Sequence, residues 1–380
     1  MIDEKKCVYL LKMRDTCTTI LYRSSFIRLF LFIRHPCSII GAKGAVKETD
    51  RMTTTKTMRP PKAPMFRDPI HDGAADPTVI WNRQEQCWWL IYTNRRANVD
   101  AQAVSWCHGL DIGLASTPDE GRTWIYRGIM QGVEFEKGRN TFWAPEVIWH
   151  EGKYHMYLTY IRGVPSAFIG PSYIAHYTSD NLFDWTYQSI LDLGVNSIDA
   201  CVHRLPGGKW RMWYRFDSGG AHTYAADSDD LYNWTRVGPV ITDCHHEGPN
   251  VFHFQGSYWM VTDPWDGLGV YRSDDLETWT RQANNILRDR GTRHEDGAKG
   301  GHPKVLVQGD EAFIFYFTHP ERDEEYAGIG YTLEDMEPYK YRRTSIQVAK
   351  LTVENGELVC RRNEPFDFRL LPPEEASGAS

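Results

Sequence analysis

Three carboxylates stand out among the residues of this chain that could do chemistry. They are Asp76 in Ala75-Asp76-Pro77, Asp199 in Ser197-Ile198-Asp199-Ala200, and Glu247 in His245-His246-Glu247-Gly248-Pro249. Each stands just ahead of a run rich in β-branched and aromatic residues, the pattern of a strand. Glu146 and His302 precede strand-like runs in the same way. Carboxyl groups gathered in a partly dry place acquire different proton affinities. One keeps its proton and serves as an acid, while another stays ionised and serves as a base. Such a pair can protonate a leaving oxygen and activate a water. The three acids are far apart in sequence, so a fold must bring them together.

Repetition supplies that fold. The stretch from His245 to Thr262 reads as an acid, a strand, a Gln-Gly turn and a second strand, and the same arrangement occurs five times. The other copies begin at Asp76, Ala144, Asp199 and His302, with turns at 83–86, 150–153, 206–209 and 308–310. After each of the first four hairpins comes a Ser- or Thr-containing acidic turn followed by Trp124, Trp185, Trp234 or Trp279. An indole there can cover the edge of an outer strand pair. Repeats of roughly 40–60 residues, each worth about four strands, predict an all-β fold, a five-bladed β-propeller. If the first strand of each blade is the innermost, Asp76, Glu146, Asp199, Glu247 and His302 converge on one funnel. Polar residues before strands are also ordinary turn formers, but four acids and a histidine in register favour convergence.

The rest of the chain narrows the function. Net charge is −7 and no basic block marks the repeat region, which argues against a nucleic-acid partner. Residues 1–65 contain no repeat and are read as an extension, disordered or of non-native start, with Met52 a plausible true beginning and Pro60–Pro64 a linker. The apolar run from Leu29 to Ile33 is too short to span a membrane. Residues 66–370 form the propeller and 371–380 a flexible tail. No CxxC occurs, so neither a structural zinc site nor a redox motif is indicated, and a cytoplasmic location is favoured over secretion. Long connections at Asn94–Gly109 and Asn284–Gly301 are candidate binding loops. Arg215, Asp263, Trp265, Arg95, His108 and Trp143 are polar or aromatic residues that either line a pocket or serve packing and surface ion pairs, with Arg215 and Trp143 the strongest pocket candidates.

Breaking a glycosidic bond uses such an acid and base, and Asp76, Asp199 and Glu247 could supply base, tuner and acid. An acid cluster can also bind a cation such as Ca²⁺. The motifs Ala75-Asp76-Pro77, Trp143-Ala144-Pro145-Glu146-Val147, Ser197-Ile198-Asp199-Ala200, Glu247-Gly248-Pro249 and Gly301-His302 resemble those of glycoside hydrolase family 43 across about residues 66–366. The resemblance implies an inverting hydrolase with Asp76 as general base, Asp199 raising and orienting the acid, and Glu247 as general acid. It places His302 at the pocket floor, near any bound calcium ion, with no cofactor otherwise required. His246 beside Glu247 and the long loop after Tyr92 are similar to family 117, which acts on sugars of algal galactans. In that reading His246 is the acid; otherwise it is a hydrogen-bond partner of Glu247. The expected activity is exo-acting removal of arabinofuranoside, xyloside or galactoside units from a carbohydrate substrate. A carbohydrate-binding propeller without catalysis and a protein-interaction scaffold are the rival readings. The oligomeric state is not encoded in any motif.

Overall fold

The computed structural model describes residues 58–168, 170–322, 326 and 336–373. Met52 and the cysteines of the expected N-terminal extension, and residues 374–380 of the expected tail, lie outside the described residues. Short runs of strand-forming residues, punctuated by Gly, Asn and Asp turns, give twenty strands in five four-stranded antiparallel sheets among the described residues. Blade one comprises β1 (Ala74–Asn82), β2 (Cys87–Asn94), β3 (Asp111–Thr117) and β4 (Ile125–Ile129). Blade two comprises β5 (Thr141–His150), β6 (Lys153–Ile161), β7 (Ser172–Ser179) and β8 (Thr186–Ile190). Blade three comprises β9 (Ser197–Arg204), β10 (Trp210–Phe216), β11 (His222–Ser228) and β12 (Thr235–Ile241). Blade four comprises β13 (Glu247–Phe254), β14 (Ser257–Asp263), β15 (Gly269–Ser273) and β16 (Thr280–Arg281). Blade five comprises β17 (Gly301–Gln308), β18 (Glu311–Thr318), β19 (Ser345–Glu354) and β20 (Glu357–Cys360). Strands pair in chain order within each sheet, and the five first strands neighbour one another around a closed ring. The fold is the expected five-bladed β-propeller, with the first strands innermost.

Hydrophobic seams hold the blades together. Trp89, Phe142 and Met156 pack between blades one and two, and Tyr157, Leu193 and Met212 between two and three. Trp213, Met260 and Tyr271 follow between three and four, and Trp259, Ile314 and Leu351 between four and five. Fully burying a side chain of this size is worth roughly 1.5–3 kcal/mol, so the seams rather than single contacts carry the fold. The repeated acidic turns have a structural task. Ser228 and Ser273 accept backbone N–H groups two and three residues on, and Asp230 and Asp275 accept the next two. The indoles of Trp185 and Trp234 then donate to the carbonyls of Leu182 and Leu231.

The expected boundary at residue 66 shifts. Arg59 N–H donates to Asp367, Phe368 N–H donates to the Arg59 carbonyl, and Phe66 bridges to Ile346. Met65 and Phe66 are buried with Trp88, Phe366, Phe368 and Leu370 in the seam between blades five and one. The proline-rich segment is thus bracketed by packed residues and belongs to the propeller.

Candidate active site

A single backbone device shapes the site. Each innermost strand carries a β-bulge near its start, where its register with the second strand slips. The first bulged residue is left-handed in every blade: Asp76 (φ 48°), Ala144 (46°), Asp199 (56°), Gly248 (56°) and His302 (39°). Left-handed backbone is uncommon for non-glycine residues and clusters at functional sites, and bulges re-aim side chains. The five polar residues are therefore not strictly in register. Asp76, Asp199 and His302 occupy the bulge, Glu247 precedes it by one residue, and Glu146 follows it by two.

That offset corrects one expectation. Glu146 is buried, accepts the Val202 N–H at 3.1 Å, and pairs with Lys304 instead of lining the cavity. Asp76, Asp199, Glu247 and His302 do line one cavity of about 1410 Å³, together with Trp143 and Arg215. The weaker candidates Arg95, His108, Asp263 and Trp265 line it as well. Both long connections contribute, through Trp106 and Cys107 on one side and Arg288 and Lys299 on the other. Phe168, Asp217 and Asp266 were not legible as cavity residues, since each lies in a connection without a repeat signature. The positions of Asp217, two residues after Arg215, and of Asp266, directly after Trp265, offered the signal there was.

Ion pairs fix the carboxylates. Arg95 reaches Asp76 Oδ1 at 3.1 Å and lies over the Phe317 ring, while His302 Nδ1 stands 3.7 Å from the same oxygen. Arg215 holds Glu247 Oε2 at 2.6 Å and Asp217 at 2.5 Å, and lies over Trp265. Asp199 accepts the Gly248 N–H at 3.2 Å, so it touches the backbone directly after Glu247. Burial pushes the Asp199 carboxyl up to about 7, with Arg215 opposing and Asp76 assisting. Burial, and then the Asp199 charge, raise Glu247, with Arg215 opposing. The 2.6 Å ion pair favours ionised Glu247, yet desolvation and neighbouring acids outweigh it, so the direction is upward. Trp143 donates its indole N–H to the Cys107 carbonyl at 2.7 Å and packs against the His108 ring at a tilt of 55°, tying β5 to the 94–109 connection.

His246 does not fit either expected role. It is fully buried and does not line the cavity. Its Nδ1 lies 2.9 Å from the Cys244 carbonyl, which can only accept, so Nδ1 carries the proton. Its Nε2 therefore accepts the Thr223 hydroxyl at 2.6 Å. Burial lowers its pKa to about 4, leaving a neutral ring with no proton to give a substrate and no bond to Glu247.

Calcium needs about six to eight oxygen ligands. Beside His302 stands Asp76, whose Oδ1 also takes Arg95. Among the described residues no group of three or more His, Cys, Asp or Glu side chains is arranged to hold a metal ion. The described side chains do not build such a shell, so no step is assigned to calcium.

No protein-family model and no curated protein matches the sequence. Solved structures match through the fold. A thermostable family-43 glycoside hydrolase superposes with TM-score 0.57 and 19% identity, over 82% of this chain and 99% of its own. A family-43 β-xylosidase/α-arabinofuranosidase from a compost microbial metagenome, solved with xylotriose in a calcium-free form, gives 0.55 and 15%, over 79% and 96%. A family-43 β-1,3-galactosidase with galactodeoxynojirimycin gives 0.56 and 15%, over 77% and 96%. At these identities the likeness is one of fold, and the chain shares its five-bladed architecture with solved family-43 glycoside hydrolases.

Proposed function

We propose that this chain is a glycoside hydrolase that removes terminal sugars with inversion of the anomeric centre. The observation that carries the reading is the meeting of Asp76, Asp199 and Glu247, from three different blades, in one cavity where burial favours protonation of two of them. Glu247 donates its proton to the glycosidic oxygen as the bond to the anomeric carbon breaks. A water attacks that carbon from the opposite face, and Asp76 takes the water's proton. Asp199 stands against the Gly248 amide and, as a like charge, keeps the proton on Glu247. Inversion needs base and acid about 6.5–9.5 Å apart so that a water fits between them. Arabinofuranosides, xylosides and galactosides are the substrates to try, because structures of this fold include enzymes named for those sugars. The connections at 94–109 and 284–301 both line the cavity, which supports a closed end and an exo mode.

A panel of aryl glycosides and plant or algal oligosaccharides, with the product anomer followed by NMR, tests the reaction. Glu247→Gln and Asp76→Asn should each lower turnover by about 10²–10⁴-fold, the range for a lost general acid or base. Retention of configuration would overturn the assignment of Asp76 to water. Unchanged affinity, together with no turnover in the wild type, would mark a binding propeller instead.

A further inference from the structure

The residues paired with the position just before each of the five bulges form a set of their own. Thr93 pairs with Ala75, Thr159 with Trp143, Arg215 with Ile198, Asp263 with Glu247, and Phe317 with Gly301. Three of these side chains reach forward to the bulge of the next blade. Thr93 accepts the Ala144 N–H at 2.9 Å, Thr159 accepts the Asp199 N–H at 3.0 Å, and Asp263 accepts the His302 N–H at 2.8 Å. A neutral hydroxyl does this work in blades one and two. Blade four places a carboxylate there, buried, facing the cavity and cross-strand from Glu247. Its second oxygen accepts the Trp265 N–H at 2.8 Å, holding another left-handed residue (φ 59°).

We propose that Asp263 is a positioning residue: it tethers the His302 bulge as the threonines tether theirs, and its carboxylate keeps the acid proton on Glu247. The idea rests on the glycosidase reading above. A tether to a single N–H needs no charge, and a buried carboxylate is costlier to hold than a hydroxyl; here the second oxygen takes the Trp265 N–H, and the charge set cross-strand from Glu247 is what a hydroxyl would not supply. Glu247 is faced by Asp199 from β9, Arg215 from β10, Asp76 from β1, His302 from β17 and Asp263 from β14. Arg215 and His302 draw the proton off Glu247, Asp199 and Asp76 oppose them, and under this proposal Asp263, cross-strand from Glu247, joins the opposing side. Burial and the nearby Glu247 raise Asp263 itself to about 7, consistent with two acids sharing one dry corner.

The discriminating variant is Asp263→Thr, which retains a hydroxyl to accept the His302 N–H and deletes the charge together with the acceptor of the Trp265 N–H. The alkaline limb of kcat/KM, where the acid loses its proton, should move down by about one pH unit, with kcat at pH 7 falling about tenfold and KM changing less. Asp263→Asn should move the limb in the same direction. An Asp263→Thr enzyme with the wild-type alkaline limb would reduce Asp263 to a tether and overturn the proposal. Carboxyl ¹³C NMR of the wild type and of Glu247→Gln covers the case in which the Asp263 variants fail to fold. The Asp263 titration midpoint should fall in Glu247→Gln, and an unmoved midpoint would overturn the coupling. That measurement needs no turnover, so it stays decisive if the wild type cleaves no glycoside, an outcome that defeats the functional reading alone.

Discussion

A carboxyl group in this cavity is pulled in two directions, and Asp199 shows which pull prevails. Arg215 favours its charged form, whereas burial and Asp76 favour the proton, and the balance lies near 7. Between about pH 4 and 7 the folded protein therefore binds more protons at this site than the unfolded chain does. Stability contributed by Asp199 is lost as pH rises through that window. Asp199→Asn should remove the penalty. The variant is expected to be more stable than the wild type at pH 8, by as much as about 4 kcal/mol, with no advantage below pH 4. It should also lose activity on the alkaline side, because Glu247 gives up its proton earlier without a like charge nearby. Thermal melts at pH 4 and pH 8, set beside pH–rate profiles, check both. A variant less stable at pH 8 would mean that the attraction of Arg215 outweighs burial.

The bulge is the element that turns five similar strands into one site, and the sequence revealed it only partly. Blade-sized repeats, strand-turn-strand runs and the polar residue before each first strand were legible, because they are local patterns. The slip in pairing was not, since it appears only when two strands are laid side by side. Glu146 accordingly seemed equivalent to Glu247, although the bulge sends it toward Lys304. His246 seemed available because it adjoins the acid, but its ring is spent on Thr223 and Cys244. Asp263 was only a weak candidate, since its partners lie in the next blade and across the strand. The bulge can be tested at Gly248, where an added Cβ would sit 3.1 Å from His302 Nδ1 on a backbone with φ 56°. An alanine occupies the equivalent place at Ala144 with φ 46°, so the fold admits one. Gly248→Ala should cost about 1–2 kcal/mol from the left-handed backbone. Its larger effect should be on activity, through a displaced His302 and a re-aimed Glu247. Calorimetry beside steady-state kinetics separates the two, and full activity with a lowered Tm would show that His302 is not held in place by the glycine.

At the scale of the whole molecule a propeller must join its last blade to its first, and among the described residues no blade borrows a strand from the other end of the chain. Every sheet is built from four consecutive strands. The join is made by two segments that run beside each other. Residues 59–66 and 366–371 exchange hydrogen bonds, Phe66 and Gly73 bridge to Ile346 and Thr344, and the Trp88 indole donates to the Leu371 carbonyl. Asp76 and His302, both lining the cavity, lie on the two blades that this seam unites, with Asp76 Oδ1 3.7 Å from His302 Nδ1, so the seam also positions residues of the cavity. Phe368 is its wedge. It is buried, with its ring edge-on to Phe313 at 5.1 Å and packed with Phe66 and Trp88 in one cluster. Phe368→Ala should cost about 3–5 kcal/mol, the usual loss for a large aromatic removed from a core. That loss should be local before it is global. Hydrogen exchange is expected to show the amides of Phe66, Thr344 and Ile346 losing protection ahead of those in the other four seams. An equal loss of protection in all five seams would mean that the ring melts as one body and that these segments do not govern its closure.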